Sequence, residues 1–294
     1  MWYICKDIIF AMKETLKNLR EKLYPLYGQR ESEAIIREIF HHLKGWNLTD
    51  LTIHADDKLS DFIKNEIDSI LQRLLKHEPI QLITGVARFH GLDFEVSPEV
   101  LIPRRETEEL VDLIIDEAND AGDLSVLDIG TGSGCIAIAL AKSLRFPYVT
   151  AIDISPAALE IAKKNAANLK VKSINFIESD ILTEEPKGVF DIIVSNPPYI
   201  TPEEKKGMEP NVLLYEPETA LFVPEEDPLI FYNRIIKLAS SHLKDGGKLY
   251  LEINPMFAPQ IKKTTEDAGF KNVEILLDSF GRERFIKASY KEMH

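Results

Sequence analysis

The residues best suited to chemistry stand four in a row, Asn196-Pro197-Pro198-Tyr199, directly after the apolar run 192–194. The two prolines remove two backbone donors and fix φ at each position. What remains is a rigid group of acceptors, the Asn196 side-chain oxygen and the neighbouring main-chain carbonyls, with the Tyr199 ring as a wall. Acceptors so placed suit an NH₂ group whose lone pair is delocalised, as in an amide or an exocyclic base amine. Each N–H can be received by one acceptor, which orients the nitrogen and favours its pyramidalisation. No strong base is needed beforehand, because the nitrogen becomes acidic as it gains a substituent. The plain alternative is an Asn-Pro-Pro turn without function.

A second group lies upstream. Residues 126–129 read as a strand and lead into Gly130-Thr131-Gly132-Ser133-Gly134, after which 136–144 read as a helix. Glycines there let the chain turn tightly and approach a ligand, while the helix start offers free N–H groups. The spacing is GxGxG, and Cys135 stands where a dinucleotide fingerprint needs glycine or alanine. A ligand without a pyrophosphate fits better, and S-adenosylmethionine is the expected cofactor. Asp128, just before the loop, is placed to meet the ligand's ammonium or to hold the loop's amides. Asp153 ends the next strand, where a carboxylate can accept from both ribose hydroxyls; capping the helix that follows falls instead to Ser155, with Pro156 at its first position. Ser179-Asp180-Ile181 ends a third strand, so that Asp180 can accept from an adenine amino group and Ile181 can pack on the ring.

These groups need a sheet to hold them. Strands are expected at 125–129, 149–154, 175–177, 190–195 and 248–253, with helices between them, the alternation of a parallel sheet flanked by helices. Two further β-rich runs, 272–277 and 284–288, are spaced as a hairpin. The expected fold class is α/β, a class I (Rossmann-like) seven-stranded methyltransferase sheet. Before it, residues 13–76 carry apolar residues at helical spacing, with Ile35, Ile39 and Leu43 in one row and Ile63, Ile67, Ile70 and Leu74 in another. Gly45 and the stretch 47–57 separate the two helical regions, and Glu78-Pro79 ends the second. Short alternating segments at 81–84, 88–89 and 92–96 predict a β-hairpin connector. The predicted domains are therefore a helical N-terminal domain (1–79), the connector (80–103) and a methyltransferase domain (104–294), the first of which the resemblance described below makes a substrate-docking domain.

Composition narrows the partners. A formal charge of −13 and a pI near 5.1 speak against affinity for nucleic-acid phosphates. The pairs Arg104-Arg105, Lys205-Lys206 and Lys262-Lys263 read as solvated surface features, and His41-His42 as a surface or core pair, not a metal site. Two cysteines, Cys5 and Cys135, make no disulfide framework. Residues 1–10 lack a cleavage site and carry Lys6 and Asp7, so a signal peptide is not expected. No apolar run approaches the ~20 residues of a membrane span. A monomer in the cytoplasm, without metal, is expected.

With the glycine loop, Asp153 and the Asn-Pro-Pro-Tyr tetrapeptide in hand, the chain closely resembles the HemK/PrmC family of release factor glutamine N5-methyltransferases over almost its full length. Glu78-Pro79-Ile80-Gln81 with Thr84-Gly85, 101–104 with Thr107-Glu108, 194–200, and Tyr215-Glu216-Pro217 with Ala220-Leu221 carry the resemblance further. It implies that the substrate is the glutamine of the Gly-Gly-Gln loop in class 1 peptide chain release factors, and that methylation tunes translation termination. It implies also that Asn196 and the Pro197 carbonyl grip the glutamine amide, that residues 104–108 border the cofactor, and that the N-terminal domain helps hold the protein substrate. One departure is Glu252-Ile253-Asn254-Pro255, where the family usually shows glycine at the third place. Residues 1–11 also precede the usual family start, which Met12 would match. A DNA adenine-amino methyltransferase uses the same tetrapeptide but would need a basic cleft and a target-recognition insertion, which the acidic balance opposes. A silent binding module would not retain both Asn196 and the glycine loop.

Overall fold

The computed structural model describes residues 12–118 and 121–291. The readings made of residues 1–10 and of Cys5 lie outside them. The chain divides into two compact units, residues 12–85 with Pro210–Tyr215, and 86–209 with 216–291.

The first unit is helical. Helix α1 (Met12–Lys44) is bent at Gly28, whose backbone sits at φ 70°, ψ 168°, three residues after Pro25. Helix α2 (Leu48–Ile53) occupies the stretch expected to be only a break. Its cause is a capping box, in which Asn47 accepts from the Thr49 and Asp50 amides while the Asp50 carboxylate receives the Asn47 N–H. Helix α3 (Asp61–Leu74) starts at the Ser60 cap and buries Ile67, Ile70, Leu71 and Leu74 against Leu19, Leu23, Ile36, Ile39 and Phe40 of α1. Residues 81–84, expected to be a short alternating segment of the β-hairpin connector, belong to helix α4 (Ile80–Thr84) instead. Thr84 donates to the Ile80 carbonyl, and Gly85 closes the turn in the left-handed region. Tyr27 and Tyr215 donate to the carbonyls of Leu74 and Lys76, covering the end of α3.

The second unit opens with the hairpin β1 (Val86–Phe89) and β2 (Leu92–Glu95), then helix α5 (Arg105–Ala118). Strand β3 (Ser125–Ile129), helix α6 (Cys135–Ser143), strand β4 (Tyr148–Asp153), helix α7 (Pro156–Asn168) and strand β5 (Ile174–Glu178) follow. Strand β6 (Phe190–Ser195), helix α8 (Ile230–His242), strand β7 (Leu243–Glu252), helix α9 (Ala258–Asp267) and strands β8 (Phe270–Leu277) and β9 (Glu283–Tyr290) complete it. The sheet has seven strands in the order β5-β4-β3-β6-β7-β9-β8, parallel from β5 to β7 and antiparallel at β9 and β8.

Alternation along the strands feeds two apolar layers. Val126, Ile192, Val194 and Tyr250 join the layer of α5 and α6 with Phe89 and Phe94, while Leu127, Ile193, Leu249 and Leu251 face α8 and α9. Burial on both faces is why apolar residues stand next to one another in these strands instead of strictly alternating with polar ones. The order reverses between β3 and β6, the switch point at whose carboxyl ends ligands bind in such sheets. Ser195 donates to the Ile129 carbonyl across that point at 2.7 Å.

Candidate active site

Register places the ends of the central strands level: Ile129 pairs with Ile152 and with Ser195, Asp153 with Glu178, and Ser195 with Leu251. The glycine loop, Asp153, Asp180 and Asn196 are carried there together. They border a cavity of about 420 Å³ whose lining includes Gly130, Gly132, Asp153, Ile154, Asp180, Ile181, Asn196, Pro197 and Pro198. That volume is ordinary for a small-ligand site. The lining residues 99–101 on one side, and Pro217, Thr219, Ala220 and Phe222 on another, form its walls.

Thr131, Ser133, Gly134 and Tyr199 do not line it; they support it from behind. Thr131 and Ser133 are buried, and Thr131 donates to Asp128 at 2.7 Å. Asp128 also receives the Ala137 amide of α6, so it holds the loop from beneath. Burial pushes its carboxyl up to about 7, against the pull of those two hydrogen bonds. A Cβ on Gly134 would meet Ala162 Cβ at 3.0 Å and Ile138 Cδ1 at 3.1 Å, so this glycine allows α6 and α7 to approach. Asn165 joins the loop to the hairpin, donating to the Ser133 and Glu95 carbonyls and accepting the Glu95 amide.

Asp153 has both oxygens engaged by backbone: Oδ2 receives Gly132 N–H at 2.8 Å and Oδ1 receives Ser155 N–H at 2.9 Å. It therefore shapes the loop as well as facing the cavity. Burial raises its pKa despite these bonds. Ser155 caps α7 through the Ala158 amide, with Pro156 following. Asp180 accepts from Leu182 N–H and from Thr183 Oγ1, a local turn at the cavity edge.

Residues 104–108, expected beside the cofactor, are not among the cavity-lining residues. Arg104, expected to be solvated, is paired at 2.5 Å with the buried carboxylate of Glu216, whose other oxygen receives the Ile102 N–H. Glu216 thus ties the wall at 99–101 to the wall at 217–222. Thr107 is buried and donates to Glu252 at 2.7 Å while receiving the Asn196 Nδ2–H at 3.2 Å. The Tyr199 hydroxyl donates to the other Glu252 oxygen at 3.2 Å, and burial drives both that phenol and the Glu252 carboxyl upward. Asn254 Nδ2 donates to the Tyr199 carbonyl at 3.1 Å. Among the described residues no group of three or more His, Cys, Asp or Glu could hold a metal, and no helix is long and apolar enough to cross a membrane.

Family models match both parts of the chain. Residues 107–219 match the Methyltransferase small domain, and residues 14–85 the PrmC N-terminal domain. The release factor glutamine methyltransferase of Bacteroides thetaiotaomicron is 46% identical over 273 residues, 92% of this chain and 97% of the relative. This chain belongs to the release factor glutamine methyltransferase family. The member from Flavobacterium psychrophilum is 44% identical over 287 residues, 94% of this chain and 99% of that one. A solved methyltransferase from Pyrococcus furiosus shares the fold, with a TM-score of 0.51 at 21% identity over 77% of this chain and all of that one. Thr107, Glu216 and Glu252 stood in the sequence within stretches resembling this family, yet their roles come from partners 53 to 145 residues away.

Proposed function

We propose that the cavity seats S-adenosylmethionine and that Asn196, with the Pro197 carbonyl, receives the side-chain amide of the glutamine in the Gly-Gly-Gln loop of class 1 release factors. The observation that carries the reading is that Asn196 and Pro197 line the same cavity as Gly130, Gly132 and Asp153. The lining fits the cofactor: carboxylates at Asp153 and Asp180 for hydroxyl and amino groups, the Ile154 and Ile181 side chains for an adenine ring, and a close backbone approach at Gly130 and Gly132. When bound, S-adenosylmethionine supplies an electrophilic methyl group on a sulfonium.

The chain's own contribution is placement. The Asn196 oxygen and the Pro197 carbonyl accept the two amide N–H bonds, which fixes the nitrogen and turns its lone pair out of conjugation. Pro197 and Pro198 hold that backbone stiff and offer no competing N–H. The walls joined through Glu216 hold the cavity's shape. The helical unit, matching the PrmC N-terminal domain, helps hold the large protein substrate. In this reading the enzyme is a cytoplasmic monomer without nucleic acid in its site, in keeping with a charge of −13.

The test is single-turnover transfer of labelled methyl, cofactor saturating, to a release factor or to adenine-containing duplex DNA. Label should enter the release factor alone. Asn196→Ala should lose about 10²–10³ in rate, and Asn196→Asp, which keeps an oxygen, should lose less. Near-normal turnover by the alanine variant, or labelling of the DNA instead, would refute the reading.

A further inference from the structure

We infer that Thr107 and Glu252 are positioning residues that decide which way the Asn196 side-chain amide faces, an inference that rests on the role proposed for Asn196. A carboxamide presents an oxygen on one side and an NH₂ on the other, and the two are nearly equal in size. Packing alone cannot choose between them. For the substrate the choice matters, because an incoming amide N–H needs the oxygen.

The hydrogen-bond inventory makes the choice. The Glu252 carboxylate is wholly buried at the end of β7 and, when ionised, only accepts. Its Oε2 takes the Thr107 hydroxyl at 2.7 Å and its Oε1 takes the Tyr199 hydroxyl at 3.2 Å. A threonine hydroxyl has one proton. Once that proton points at Glu252, the Thr107 oxygen offers only lone pairs to Asn196, whose Nδ2 lies 3.2 Å away. A flipped amide would set Oδ1 against that oxygen, acceptor on acceptor, beside the buried Thr107 and Glu252 side chains. Oδ1 is thereby turned away from Thr107.

Glu252 also reaches the far end of the tetrapeptide through Tyr199, and Asn254, two residues on, holds the Tyr199 carbonyl at 3.1 Å. The carboxyl end of β7 therefore fixes both ends of the Asn-Pro-Pro-Tyr turn, with Thr107 of α5 as the link on the Asn196 side.

The experiment compares Thr107→Val, which keeps the shape and loses the hydroxyl, with Thr107→Ser, which keeps the hydroxyl. Each is measured for S-adenosylmethionine affinity and for kcat and KM on a release factor, alone and combined with Asn196→Ala. Thr107→Val is expected to lower kcat about 10- to 100-fold, the scale known for losing the hydrogen-bond partner that orients a metal ligand, with cofactor affinity unchanged. Thr107→Ser should restore turnover. In the Asn196→Ala background, Thr107→Val should cost nothing further, since residues acting as one unit are not additive. An unimpaired Thr107→Val beside an impaired Asn196→Ala would overturn the inference and leave the parent reading standing. So would the same loss from Thr107→Val in both backgrounds. Wild-type turnover by Asn196→Ala would overturn the parent reading itself, and this inference with it.

Discussion

The glycines of the cofactor loop do different work, and alanine substitutions should separate them. Gly134 opens α6 at φ 81°, a region where an L side chain costs roughly 1–2 kcal/mol. An added Cβ would also lie 3.0 Å from Ala162 Cβ and 3.3 Å from Ala162 Cα, contacts that a packed helix pair relieves only by moving. Overpacking of this kind costs about 1–3 kcal/mol, so Gly134→Ala should destabilise by about 2–5 kcal/mol in all. Gly130, at φ 73°, has nothing within 4 Å of the same added atom on its own chain. Its alanine variant should lose only about 1–2 kcal/mol of stability, but should bind S-adenosylmethionine poorly because the methyl intrudes on the cavity. Urea unfolding without ligand, and calorimetric titration of the cofactor, measure the two effects separately. If Gly134→Ala proved no less stable than Gly130→Ala, the close approach of α6 and α7 would not be what demands glycine there.

Two further outcomes are expected. Asp153→Ala should weaken S-adenosylmethionine binding by about 1.5–3 kcal/mol in a chain that stays folded, since a charge-assisted acceptor is lost and the Gly132 and Ser155 amides are released; unchanged calorimetric affinity would remove Asp153 from the site. Asp128, raised from 3.8 to about 7, binds its proton more tightly when folded, so its stabilisation is complete below pH 3.8 and disappears as pH rises through about 7. At about 1.4 kcal/mol per pKa unit this amounts to at most about 4 kcal/mol, and Asp128→Asn should flatten urea midpoints across that pH window; an unaltered slope would refute the burial of an unrelieved charge.

What the sequence made readable follows from what is local. The central strands are buried on both faces, so 125–129 and 190–195 stand out by apolar cores at 126–127 and 192–194 and coincide with β3 and β6. Ser155 and Pro156 announce α7 because a cap and its first residue are neighbours. Short helices were not readable: five residues at Ile80–Thr84 cannot display a 3.6-residue period, and their turn closes through a threonine side chain and Gly85. Nor were the supports of the site. Arg104 looked like a solvated cation because its partner Glu216 lies 112 residues on, and nothing local distinguishes Thr107 from any polar residue on an amphipathic helix. Tyr199, expected as a wall of the site, turns its hydroxyl to Glu252 for the same distant reason.

Asn254 stands where the resemblance leads one to expect glycine, and its side chain carries four bonds. The amide nitrogen donates to the Tyr199 carbonyl and to both oxygens of Glu204, and the oxygen receives the Met256 N–H. Glu204 in turn accepts from the Thr201 amide and hydroxyl, closing the turn that follows the reactive tetrapeptide. The two positions are thus an epistatic pair, fifty residues apart in the chain. Glycine at 254 alone would remove the amide that donates to both Glu204 oxygens and leave that carboxylate with the Thr201 donors only. Consensus design of this enzyme would therefore treat residues 204 and 254 as one choice, because each supplies the other's hydrogen-bond partner.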